Sequence, residues 1–134
     1  MAEDKQKIFE KIAKKILPKD YELSVVFASD KLALSLNKQY RKKDYIPNVL
    51  SFPYSKKSGE IFLNLKQIKK DAKKFGITEK ECEKYMLIHA LLHLKGLKHS
   101  AKMNEQERKF LKLLKISLPL HLKTNGKKKY SGRN

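Results

Sequence analysis

Ile8, Ile12 and Ile16, flanked by Phe9 and Ala13, recur at helical spacing and predict an amphipathic helix over 4–16, closed by Pro18. Tyr21 to Phe27 is β-branched and aromatic and predicts a strand. Ser29 or Asp30 can cap a second helix that runs through Leu32, Leu36 and Tyr40 to residue 41. Residues 48–53 and 60–64 read as two neighbouring strands around a turn. Pro53 cannot donate to a ladder, so it ends its strand or places it at a sheet edge. Asn64 can cap a helix burying Leu65, Ile68, Ala72 and Phe75, stopped at Gly76. Thr78 with Glu81 is a capping box that opens a helix over 79–95, with Cys82, Met86, His89 and His93 on one face. A last helix over 104–116 turns Phe110, Leu113 and Leu114 inward. The order α-β-α-β-β-α-α-α predicts a single α+β domain over 1–118, a small mixed sheet flanked by about five helices. If the strands at 21–27 and 48–53 pair in parallel, their crossover is right-handed. Residues 119–134 form a basic tail expected to be disordered.

Charge adds a partner class. Lys and Arg number 32 against 14 Asp and Glu, a net +18, and so positive a surface attracts polyanions, nucleic acid first. The single cysteine, Cys82, excludes an internal disulfide and fits the core of a protein from a reducing compartment. The first residues lack an apolar signal segment, and no apolar run is long enough to span a bilayer. The expected address is cytoplasmic, with no membrane partner.

The chemistry is concentrated in residues 89–99, His-Ala-Leu-Leu-His-Leu-Lys-Gly-Leu-Lys-His, which hold three of the four histidines. His89 and His93 leave the same face of a helix. Gly96 can stop that helix in a left-handed turn, which returns His99 toward the first two rings. Three neutral nitrogens with an open fourth position form the ligand set of a catalytic zinc, one per chain. The spacing H-x-x-x-H-x-x-G-x-x-H is also that of the metzincin proteases, but those carry a glutamate base directly after the first histidine. Here that position is Ala90, which cannot take a proton, and a peptidase is disfavoured. Zinc lowers the pKa of a bound water to about 7 and polarises phosphoryl oxygens, so the cradle and the charge together point to phosphodiester hydrolysis.

The window is similar to the H-G-x-L-H-L-x-G-Y-D-H signature of the YbeY-type endoribonucleases. Three further blocks resemble that family in the same order: Leu36-Asn37-Lys38-Gln39-Tyr40-Arg41-Lys42-Lys43-Asp44, Asn48-Val49-Leu50-Ser51-Phe52-Pro53, and Gly59-Glu60-Ile61. The resemblance implies a metal-dependent, single-strand-specific endoribonuclease of ribosomal RNA maturation and ribosome quality control. It implies His89, His93 and His99 as zinc ligands and Arg41 as the basic residue on the phosphate. Ser51 and Phe52 would shape the cleft wall, with Ser51 a candidate substrate contact; Lys98, which departs from the signature, is a second candidate if it points into the cleft. Partners would be RNA, the small ribosomal subunit, and a ribosomal or assembly-factor protein.

Leu97 and Lys98 stand where the signature has Tyr-Asp, and Asn48 where it has Asp. Losing carboxylates near the ligands predicts weaker metal binding, since such groups orient ligating histidines. The same departures frame the alternative function, a basic RNA- or ribosome-binding assembly factor with a structural metal and little catalysis.

Overall fold

The computed structural model describes residues 4–124. The chain runs α1 (Lys5–Ile16), β1 (Glu22–Phe27), α2 (Asp30–Arg41), β2 (Val49–Ser55), β3 (Ser58–Leu63), α3 (Leu65–Phe75), α4 (Glu79–Leu94), α5 (Ala101–Leu113) and a 3-10 turn (Leu120–Thr124). The three strands lie in the order β1-β3-β2, with β1 parallel and β2 antiparallel to β3. This is the expected mixed α+β architecture, with five α-helices among the described residues. β1 and β2 are not neighbours, so the conditional parallel pairing does not arise; the parallel partner of β1 is β3. Pro53 sits within β2, which is an edge strand, and the register slips between Pro53 and Ser55. A residue without an N–H is tolerated at such a position.

Alternation sorts the sheet. Ile61 and Leu63 of β3 are fully buried against α4, while Glu60 and Phe62 point the other way and are half-buried. On the inner side α4 forms the centre of the domain. Tyr85 to Leu92 are all within 1 % of complete burial, so the helix is enclosed on every side rather than along one stripe. Its start is the expected capping box, with the Thr78 and Glu81 side chains each accepting from the other's backbone N–H. Gly59 is required by packing, because a Cβ there would lie 2.5 Å from the Tyr21 hydroxyl and 2.9 Å from Leu94.

α2 has the expected bounds, while the reading of α5 needs correcting. In α2 the buried residues are Ala33 and Asn37, whereas Leu32 and Tyr40 are 39 % and 60 % exposed. The helix covers the outer face of the sheet only in part, so its inward stripe is narrow. α5 begins at Ala101, capped by Ser100, and buries Met103, Glu107 and Leu111, leaving Leu113 65 % exposed. Past residue 118, Leu122 of the 3-10 turn is 1 % exposed, and His121 packs on Phe75 and Tyr85. The rest of the expected tail lies outside the described residues. No helix among the described residues is long and apolar enough to cross a membrane.

Candidate metal centre

His89 and His93 lie one turn apart near the end of α4, and the way that helix stops positions the third histidine. Gly96 has φ +95°, a conformation an L side chain resists. The Gly96 N–H donates to the His93 carbonyl at 2.9 Å and the Leu97 N–H to that of Leu92 at 3.1 Å. These two bonds define a Schellman stop, and the Leu97 side chain packs on the core as such stops favour. The chain then reverses and presents His99 just before the Ser100 cap of α5. The three rings meet with centroids 4.7–5.0 Å apart, and one nitrogen from each lies within 4.8 Å of the others.

Two of the rings are held from behind. His89 Nδ1 lies 2.5 Å from Glu107 Oε2, a carboxylate that accepts, so this nitrogen carries the proton. His93 Nδ1 donates to the Leu97 carbonyl at 2.9 Å. With Nδ1 engaged on both rings, each turns its Nε2 inward as the atom left to bind a metal, and these two atoms are 3.2 Å apart. Tetrahedral zinc with bonds of about 2.0–2.1 Å separates its ligand nitrogens by about 3.3 Å, so the pair fits the ion. Burial, with the neighbouring His89 ring, pushes the His93 imidazole down to about 4, against the pull of the Leu97 carbonyl. At neutral pH it offers a lone pair rather than a charge. The nitrogen-only donor set suits zinc.

The expected shortage of carboxylate support is not what is found. Glu107, 1 % exposed, comes from α5 and occupies that role. Leu97 contributes a backbone carbonyl, which any residue at that position possesses. Asn48 is 6 % exposed, and its amide donates to Asp71 at 2.7 Å rather than lying among the ligands. An aspartate at 48 would bring two carboxylates together there. Beyond Glu107 the network continues: the Tyr85 hydroxyl donates to Glu107 Oε1 at 3.4 Å, and His121 Nε2 lies 3.0 Å from that hydroxyl. Burial pushes the His121 imidazole down as well.

Arg41, Leu50, Ser51, Pro53 and His93 line a cleft of about 290 Å³ beside the ligands, along the β2 edge. Arg41 ends α2, and its Nη1 donates to Asn37 Oδ1 at 3.2 Å. Asn37 is fully buried, and its amide donates to the Tyr45 carbonyl, pinning the loop that follows the helix. Lys98 is exposed and does not line this cleft. Sequence reasoning gave no role to Glu107, Tyr85, His121 or the Asn37 side chain. Glu107 had a signal: it stands four residues after Met103 and four before Leu111, on the buried stripe of α5.

Comparison with known proteins agrees with this geometry. The family model described as Endoribonuclease YbeY matches residues 1–115. An Endoribonuclease YbeY from Campylobacter jejuni is 32% identical over 134 residues, covering 94% of this chain and 98% of that protein. One from Ehrlichia canis is 38% identical over 88 residues, 62% of this chain and 57% of that one. The solution structure of TM1509 from Thermotoga maritima superposes with TM-score 0.55 at 23% identity, covering 99% of this chain and 97% of that one, and shares the fold. With its three histidines converging as the metal geometry requires, the chain belongs to the Endoribonuclease YbeY family.

Proposed function

We propose that this chain hydrolyses phosphodiester bonds within single-stranded RNA, using one zinc held by His89, His93 and His99. The observation that carries the reading is the inward pair of Nε2 atoms, 3.2 Å apart, whose rings are fixed from behind by Glu107 and Leu97. When bound, zinc supplies an acidified water and a Lewis-acidic contact for a phosphoryl oxygen. The protein's own groups do the rest. Arg41 presents a guanidinium fork to the scissile phosphate, aimed by its bond to Asn37. Ser51 offers a hydroxyl on the same cleft wall. Lys98, outside the cleft, adds to the field of a chain of net charge +18, which draws a polyanion in. Ala90 is fully buried and holds no proton acceptor where a peptidase needs one. Ribosomal RNA, in maturation and quality control on the small ribosomal subunit in the cytoplasm, is the substrate setting we infer from family membership and charge.

The test compares zinc-loaded wild type with His93→Ala on single-stranded and structured RNA. Cleavage by wild type alone supports the reading. Equal cleavage by both proteins rejects it. RNA binding that survives chelation without turnover would replace it with the binding-factor reading.

A further inference from the structure

The outer face of the sheet carries a cluster of aromatic rings that the metal centre does not use. Tyr40 of α2 packs edge-to-face on Phe52 of β2, centroids 5.7 Å apart, and Phe52 packs the same way on Phe62 of β3 at 5.7 Å. Tyr54, two residues along β2 on the same face, has its hydroxyl 2.7 Å from Glu60 Oε1. Tyr40 and Tyr54 are 60 % and 65 % exposed, unusual for large rings resting on a sheet. The carboxylate in this cluster, Glu60, also accepts from Ser24 at 3.1 Å and so anchors the Tyr54 ring.

Two features identify the occupant. First, the face borders the cleft around the β2 edge: Tyr40 adjoins Arg41, Phe52 lies between Ser51 and Pro53, and Arg41, Ser51 and Pro53 line the cleft. Within β2, alternation turns Ser51 and Pro53 to one face and Phe52 to the other. Second, Lys38, Lys42, Lys43, Lys56 and Lys57 are exposed on the segments that carry the rings. An aromatic surface on lysine-rich segments suits a polyanion with flat faces, and bases offer such faces only when unpaired. Resting on the ribonuclease reading above, we propose that Tyr40, Phe52 and Tyr54 form a stacking surface that receives the unpaired bases flanking the scissile phosphate.

The full chain, zinc-loaded, is titrated in the cold into a labelled single-stranded RNA oligonucleotide whose integrity is checked afterwards on a gel. The Tyr40→Ala/Tyr54→Ala double variant is expected to bind at least about tenfold more weakly, with an unchanged salt slope, because stacking carries no counterion release. Tyr40→Phe/Tyr54→Phe should bind like wild type, and a duplex of the same sequence should not distinguish the proteins. Unchanged single-strand affinity in the alanine variant overturns the proposal and leaves the face to a protein partner. If that variant misfolds, ultraviolet crosslinks mapped on wild type decide: sites at Tyr40, Phe52 or Tyr54 support it, and sites confined elsewhere overturn it. A wild type that cuts RNA while the alanine variant binds unchanged fails only this inference. Rings that bind RNA without a zinc-dependent cut fail only the reading beneath it.

Discussion

Glu107 Oε2 lies 2.5 Å from His89 Nδ1, with both side chains 1 % exposed. A carboxylate in this position fixes the tautomer of a ligating imidazole and raises its basicity. Glu107→Gln keeps an oxygen to accept the Nδ1 proton, whereas Glu107→Ala leaves that buried N–H unanswered. Zinc affinity is expected to fall about 10- to 100-fold in Glu107→Ala and less in Glu107→Gln. Competition with a chromophoric chelator reads this directly, and equal affinity in all three proteins would remove Glu107 from the metal centre.

Gly96 connects backbone conformation to ligand placement. A Cβ there meets nothing within 4 Å, so Gly96→Ala strains only the left-handed φ, costing about 1 kcal/mol. The same turn sets the Leu97 carbonyl behind His93, and zinc affinity is expected to drop along with the unfolding midpoint. Gly59→Ala is the contrasting case. It drives a methyl toward Tyr21 and Leu94, costs about 1–3 kcal/mol by overpacking, and should leave the affinity of the surviving folded protein unchanged.

Arg41→Ala is expected to lower turnover on single-stranded RNA by about 100-fold, a typical loss when one preorganised donor to developing charge is removed. Its zinc content should stay at the wild-type level, because the ion's donors are the three imidazoles and Arg41 acts on the phosphate. Single-turnover cleavage beside a metal assay separates the two quantities. A loss of zinc in this variant would reassign Arg41 to structure.

The metal-free protein should lose stability in mild acid. The His93 imidazole titrates near 6.5 in an unfolded chain but is held down to about 4 by burial in the fold. Between those values the unfolded chain binds the extra proton, so stability falls as pH drops from 6.5 to 4 and is flat just above it. His121 shifts in the same direction and adds to the slope. Glu81, held at about 2 by hydrogen bonds from the Ser117 side chain and the Thr78 N–H, contributes only as pH falls below 4.5. Urea midpoints at several pH values in the presence of chelator measure the effect. A flat profile from 6.5 to 5 would contradict the burial of these rings.

The parts of the site legible in the sequence were those written as local spacing. His89 and His93 at one turn, Gly96 at the stop, and the Thr78–Glu81 cap are each decided within a few residues, and the fold realises each of them. Pro53 at a sheet edge followed from its missing N–H. What escaped was tertiary. Glu107 sits among Glu105, Arg108 and Lys109 and reads as another surface charge until α5 is laid on α4. The inward stripe of α2 passes through Ala33 and Asn37 because the helix covers only part of the sheet, which exposes Tyr40 against the pattern of its apolar positions. Likewise, a run that looks like basic tail contains Leu122, buried only because the 3-10 turn folds back on α3 and α4.

The most direct measurement is a zinc titration of metal-free protein, followed by cleavage of single-stranded RNA. Activity is expected to rise linearly and break at one equivalent of zinc per chain, with no rise in His99→Ala. Cleavage by the metal-free protein, or an equal rise in His99→Ala, would contradict the three-histidine centre as the catalytic site.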